Sequence, residues 1–254
     1  MSNFYTIRIQ RWKKWVFVIS AALFAAIYLF TEFSSFSVFS TDKGPEALIK
    51  SGESTDQLAL TFNISWGQEK VHDILDVLEK ENVQATFFVS GEWAERHPDI
   101  LKKITDNKHE LGMLGYRYKS YVKQDIEEVR KDLLQAKETF RKLGYSDITL
   151  LRPPSGHFNK EVLKLTEKFG FSVIYWSVNP SDWKSPGTQK IIDRVLDHAK
   201  GGDILLLHAS DAAKQTAGAL KDIIPNIKKK GLKFVNVSQL ISNSSSSSSP
   251  LESK

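Results

Sequence analysis

The chain has 254 residues, of which 41% are hydrophobic and 26% charged, so it can bury a sizeable core and global disorder is excluded. It has no cysteine, which removes disulfides, thiolate metal sites and cysteine nucleophiles. The net charge of +5 is concentrated at the start, where residues 1–40 hold four cations against one acid; the rest is nearly neutral, and a nucleic-acid function has little electrostatic support.

Arg8, Arg11, Lys13 and Lys14 precede an uncharged run from Trp15 to Phe30. At about 1.5 Å per helical residue the run spans about 24 Å, a little short of a hydrocarbon core of about 30 Å. Residues 1–33 are therefore expected to be a cytoplasmic stub and signal anchor, placing the protein in the cell membrane with its main domain outside. Cleavage near Ser35–Ser40, followed by secretion, is the competing expectation. Residues 34–55 are polar and read as a linker or ordered lead-in.

From residue 56 to 242 short apolar runs alternate with amphipathic ones. Strands are expected over 58–64, 85–89, 111–114, 149–151, 172–177, 203–208 and 233–237. Helices are expected near 69–82, 94–107, 122–143, 159–169, 188–199 and 212–230, with a last turn at 238–242. Ile74, Val77 and Leu78, then Ile126, Val129, Leu133 and Phe140, recur at helical spacing. Strands separated by helices imply a parallel sheet, and about seven such units favour an α/β fold of the distorted (β/α) barrel type. Residues 243–254, rich in serine, form a tail with no core-forming content.

Chemistry in such a barrel sits at the C-terminal ends of the strands. Those positions carry Asn63, Ser65 and Trp66, then Tyr116 and Tyr118, Arg152 to Gly156, Asn179 with Asp182 and Trp183, and His208. The result is a polar rim with planar aromatic walls, suited to a sugar ring.

Leu58-Ala59-Leu60-Thr61-Phe62, His109-Glu110-Leu111-Gly112, Arg152-Pro153-Pro154-Ser155-Gly156, Asp182-Trp183 and Leu205-Leu206-Leu207-His208 resemble, in order, the motifs of the NodB-type polysaccharide deacetylases, carbohydrate esterase family 4. Ser65-Trp66-Gly67, Trp93 to Pro98 and the apolar N-terminus are most similar to the PdaB-type sporulation proteins of Bacillus within it. The resemblance implies an N-acetylated glycan, such as spore cortex peptidoglycan, as partner. It also implies retained catalytic positions at His208 (general acid), Arg152 and Asp182, with Asn63 where the general base would be. Trp66, Tyr118, Trp183 and Leu207 are the expected substrate contacts.

The departures from that pattern are chemical. The family's three metal-ligand positions fall on Ile64, Leu114 and Tyr118, two hydrocarbons and a phenol, so no metal or other cofactor is expected where a divalent ion such as zinc would be usual. Asn63 cannot take a proton as a carboxylate does. Three readings follow: a glycan-binding protein with little or no catalysis, an N-deacetylase with an unusual site, and an inert scaffold or signalling protein. Arg152 is expected to bridge Asp182. His109 is expected at a surface turn, His72 and His198 on solvent-facing helix surfaces and His97 in a helix link; His157, directly after the Arg152–Gly156 loop, has facing the cleft as its lesser reading.

Overall fold

The computed structural model describes Ser20 and residues 40–41, 44–50 and 56–243. The expected anchor lies outside the described residues apart from Ser20, which is helical, and the run 244–254 also lies outside them. No helix among the described residues is long and apolar enough to cross a membrane.

Seven parallel strands make the sheet: β1 (Gln57–Ile64), β2 (Thr86–Val89), β3 (Glu110–Met113), β4 (Leu150–Leu151), β5 (Ser172–Val173), β6 (Ile204–His208) and β7 (Lys233–Val235). Their order is β5-β4-β3-β2-β1-β6, and β7 pairs with the first three residues of β1, ahead of Thr61 where β2 joins. Single bridges, Val178 to Leu205, Leu48 to Ile174 and Lys50 to Asp203, bring the segment after β5 and the lead-in against β6. The sheet is therefore a curled half-barrel whose edges meet through isolated bridges, short of the regular closed ladder of a complete barrel.

Strand alternation separates two apolar layers. Leu205 and Leu207 point outward into the layer between sheet and helices. Phe88, Leu114, Leu150, Ile174 and Ile204 fill the concave interior. The outer layer is closed by α1 (Lys70–Lys80), α2 (Gly91–Arg96), α3 (Pro98–Asp106), α4 (Ile126–Lys142), α5 (Lys160–Lys168), α6 (Thr188–His198) and α7 (Thr216–Lys229), and α8 (Val237–Ser242) ends the domain. In α1, Val71, Ile74, Leu75 and Leu78 form one buried stripe. Asp125 caps α4 by accepting from Glu127 N at 2.8 Å, and Asn159 caps α5 by accepting from Val162 N at 2.9 Å, satisfying donors that have no partner within the helix.

Three expectations change at this level. The helix expected over 94–107 is two helices, because Pro98 has no N–H to continue α2 and pre-sets the first turn of α3; His97, at φ −131° and ψ 55°, is the joint. The strand expected over 172–177 stops at Val173, since the carbonyls of Ile174 and Tyr175 turn to accept from Arg152. His109 is buried, at 6% exposure, and not at a surface turn. Its Nδ1 accepts from Ala85 N at 3.3 Å and its ring lies against Phe87. Burial pushes its pKa down to about 4.

Candidate functional site

A cleft of about 420 Å³ opens at the C-terminal ends of the strands. Its floor is Asn63, Leu206 and His208, and its walls include Trp66, Tyr118, Trp176 and Trp183, with Ser65, Ser155, Asn179 and Ser210 between them. Asn63 and His208 pair across the β1–β6 ladder, so strand register alone sets them side by side. A second cavity of about 320 Å³ lies near Thr105, Glu110 and Tyr145; none of the rim residues reaches it.

Arg152 follows β4 and is completely buried. Nη1 donates to Asn63 Oδ1 at 2.9 Å, Nη2 to Tyr175 O at 2.9 Å and Nε to Ile174 O at 3.2 Å. Its guanidinium lies 4.0 Å from the Phe88 ring centre and 5.5 Å from that of Trp176, contacts that favour a cation. Burial pushes its pKa down to about 9, which still leaves it charged near neutral pH. The expected bridge to Asp182 is absent. Arg152 lies on the β4 side of the concave interior and Asp182 turns toward the far edge of the sheet, at β6.

Asp182 is wholly buried in a three-residue turn, Asp182–Lys184, flanked by Ser181 (φ 57°) and Ser185 (φ 49°). Two consecutive left-handed corners around one turn cost backbone energy, and they direct Asp182 inward while Trp183 stays half exposed at 48%. Asp182 Oδ1 meets His208 Nδ1 at 2.8 Å; Oδ2 accepts from His208 N at 2.8 Å and from Thr216 Oγ1 at 2.7 Å. An ionised carboxylate can only accept, so Nδ1 of His208 carries a proton and Nε2 is left for the cleft.

Of the expected sugar contacts, Trp66, Tyr118 and Trp183 line the cleft and are 54%, 40% and 48% exposed. Leu207 does not. It lies in the outer layer and Leu206 faces the cleft, because the two alternate along β6 and only the residue in phase with His208 can point inward. Trp176 is a fourth wall, with its ring stacked on Tyr175 at 3.9 Å. Trp93 is buried and donates through Nε1 to Gly67 O, and Tyr116 bonds Glu95 at 3.0 Å; neither lines the cleft. His157 is exposed beside Ser120, at 2.9 Å, also outside the cleft lining.

Two residues were missed. Thr216, the first residue of α7, completes the set of donors to Asp182; a lone threonine at the start of an apolar helix gives no hint of that role. Asp211 accepts from the backbone N–H groups of Gln68, Glu69 and Lys70 at 2.9–3.2 Å. It ties the rim loop after β6 to the start of α1 from 141–143 residues away, a separation at which no local signal operates.

The metal-ligand positions do not fit a divalent cation. Ile64 packs in the outer layer and Leu114 in the concave interior, both hydrocarbon, and Tyr118 is an exposed phenol. Among the described residues no three His, Cys, Asp or Glu side chains converge to hold an ion.

The chain is a parallel α/β half-barrel with a polar, aromatic-walled cleft at its strand ends. The polysaccharide deacetylase family model matches residues 50–174. A peptidoglycan-N-acetylglucosamine deacetylase of Bacillus cereus is 34% identical over 187 residues, covering 72% of this chain and 87% of that protein. The peptidoglycan-N-acetylmuramic acid deacetylase PdaA of Bacillus subtilis is 32% identical, over 72% of this chain and 70% of its own. The structure of BA3943, a family 4 pseudoenzyme from Bacillus anthracis, superposes with a TM-score of 0.74 at 29% identity, covering 78% of this chain and 69% of that one; a mutant of BA3943 has restored enzymatic activity. This chain belongs to the polysaccharide deacetylase family.

Proposed function

We propose that the protein is a glycan-binding member of the family that holds N-acetylated peptidoglycan at the cell envelope and hydrolyses it weakly or not at all. The observation that carries this is a mismatch at the strand ends. Four aromatic walls and the Asp182–His208 pair are in place, while the positions that would grip a metal offer hydrocarbon and a phenol. Deacetylation of an amide needs the carbonyl polarised and water deprotonated, and a metal ordinarily supplies several kcal/mol of that stabilisation. Asn63, an amide, cannot deprotonate the water. Similarity to a pseudoenzyme of the same fold supports the reading. The apolar run Trp15–Phe30 behind four cations supports a membrane-anchored, outward-facing domain, and the resemblance to PdaB-type proteins supports spore peptidoglycan as the polymer.

A second reading, N-deacetylation through a non-standard site, draws on the preserved Asp182–His208 pair at 2.8 Å, which poses Nε2 to handle a proton in the cleft.

Sedimentation of the full chain, in detergent, with insoluble peptidoglycan separates the two when acetate is assayed in parallel. The expected result is saturable binding, lowered about tenfold by Trp66→Ala or Tyr118→Ala through lost ring stacking, with no acetate above background in the presence of zinc. Multiple turnovers of acetate would establish the second reading.

A further inference from the structure

Arg152 is a fully buried cation whose three hydrogen bonds all end on neutral acceptors: two backbone carbonyls and Asn63 Oδ1. Among the described residues no carboxylate forms an ion pair with it; Asp182, the buried acid of the cleft, is occupied by His208 and Thr216. A buried guanidinium is ordinarily met by an anion, because carbonyl dipoles and ring faces replace only part of its lost hydration. The consequence reaches the cleft through Asn63. Its Oδ1 is committed to Arg152, which orients the amide and leaves the Nδ2 hydrogens as the group that Asn63 offers to the cleft it lines. The floor therefore presents a hydrogen-bond donor with a buried positive charge directly behind it; among the described residues no Asp or Glu lines the cleft, Asp182 lying behind His208.

Resting on the glycan-binding reading, we propose that this floor selects a sugar bearing a carboxylate over a neutral N-acetylated sugar, the carboxylate accepting from Asn63 Nδ2 in the field of Arg152. Charge-assisted hydrogen bonds of this kind are about twice as strong as neutral ones, and Arg152 gains through the ligand a counter-charge that no carboxylate among the described residues supplies. The aromatic walls hold either sugar; the floor discriminates.

The test is isothermal titration of the full chain in detergent with N-acetylmuramic acid, N-acetylglucosamine and sodium acetate, for the parent, Asn63→Asp and Asn63→Leu. The parent is expected to bind N-acetylmuramic acid at least tenfold more tightly than N-acetylglucosamine, with acetate alone at least tenfold weaker than N-acetylmuramic acid. Asn63→Asp places a carboxylate against Arg152 and Asn63→Leu removes the donor without adding charge; each is expected to erase the preference, bringing the ratio of the two sugar affinities to within about threefold of one. Equal affinity for the two sugars in the parent, or a preference that survives both substitutions, overturns the inference and leaves the glycan reading standing. Acetate binding as tightly as N-acetylmuramic acid overturns the sugar-borne part. Failure to bind either sugar overturns both.

Discussion

Asp182 holds His208 at two points, its Oδ1 on the ring Nδ1 and its Oδ2 on the backbone N–H, each at 2.8 Å. Ring and backbone of one residue are thereby fixed by a single buried carboxylate, and Thr216 Oγ1 supplies the third donor at 2.7 Å. Both oxygens of Asp182 thus have defined donors, and Nε2 is the ring nitrogen of His208 left for the cleft.

Thr216→Val removes one donor from that carboxylate while keeping the side-chain shape. The expected loss is about 1–2 kcal/mol, read by urea unfolding, with Thr216→Ser restoring most of it. A Thr216→Val protein as stable as the parent would show that the hydroxyl contributes nothing to Asp182.

Arg152→Ala leaves Asn63 Oδ1 and two buried carbonyls without their donor and opens a cavity beside Phe88. The expected cost is about 3–5 kcal/mol. Since Arg152 and Asp182 share no bond, the double variant with Asp182→Asn should be additive within about 0.5 kcal/mol. A coupling above about 1.5 kcal/mol would reinstate a direct bridge.

His109 gives the domain a pH-dependent stability. Its folded pKa of about 4 lies below the ordinary 6.5, so between those values the unfolded chain binds the extra proton and stability rises with pH. Moving from pH 7 to pH 4.5 should cost about 2.5 kcal/mol through this residue alone. His109→Gln, which cannot titrate and can still accept from Ala85 N, should lose correspondingly less over the same interval, measured by urea unfolding at both pH values.

At the rim, Gly67 adopts φ +76° directly against Asp211, and a Cβ there would fall on its carboxyl group. Gly67→Ala should cost about 2–3 kcal/mol from combined strain and displacement of Asp211. Asp211→Ala, which strips the start of α1 of its acceptor, should cost about 1–2 kcal/mol. Both are read by thermal unfolding, and the double variant should fall well short of the sum, because the clash disappears with the carboxylate.

Asn63→Asp should not produce acetate from peptidoglycan, with or without added zinc. It restores a carboxylate beside Arg152, but Ile64 and Leu114 still present hydrocarbon and cannot complete a metal site. Acetate release by this variant alone would show that the cleft recruits ligands from elsewhere.

Much of the architecture is written in local pattern. Alternation of apolar runs with amphipathic helices follows from periods of 2 and 3.6, so the parallel sheet, its seven strands and the residues at their ends could be read along the chain. The loss of metal donors at Ile64 and Leu114 is likewise a matter of residue chemistry, which no fold can alter. Tertiary structure decided what each polar group touches. Arg152 turns to Asn63 and two carbonyls because the curl of the sheet sets β1 and the segment after β5 around it, and Asp182 turns to β6 because two left-handed serines direct it there. Leu206 faces the cleft in place of Leu207 through the phase of one strand, and His109 is buried through the packing of another. Contacts between residues 22 to 143 positions apart depend on how the sheet closes on itself, a property that no short stretch of the chain encodes.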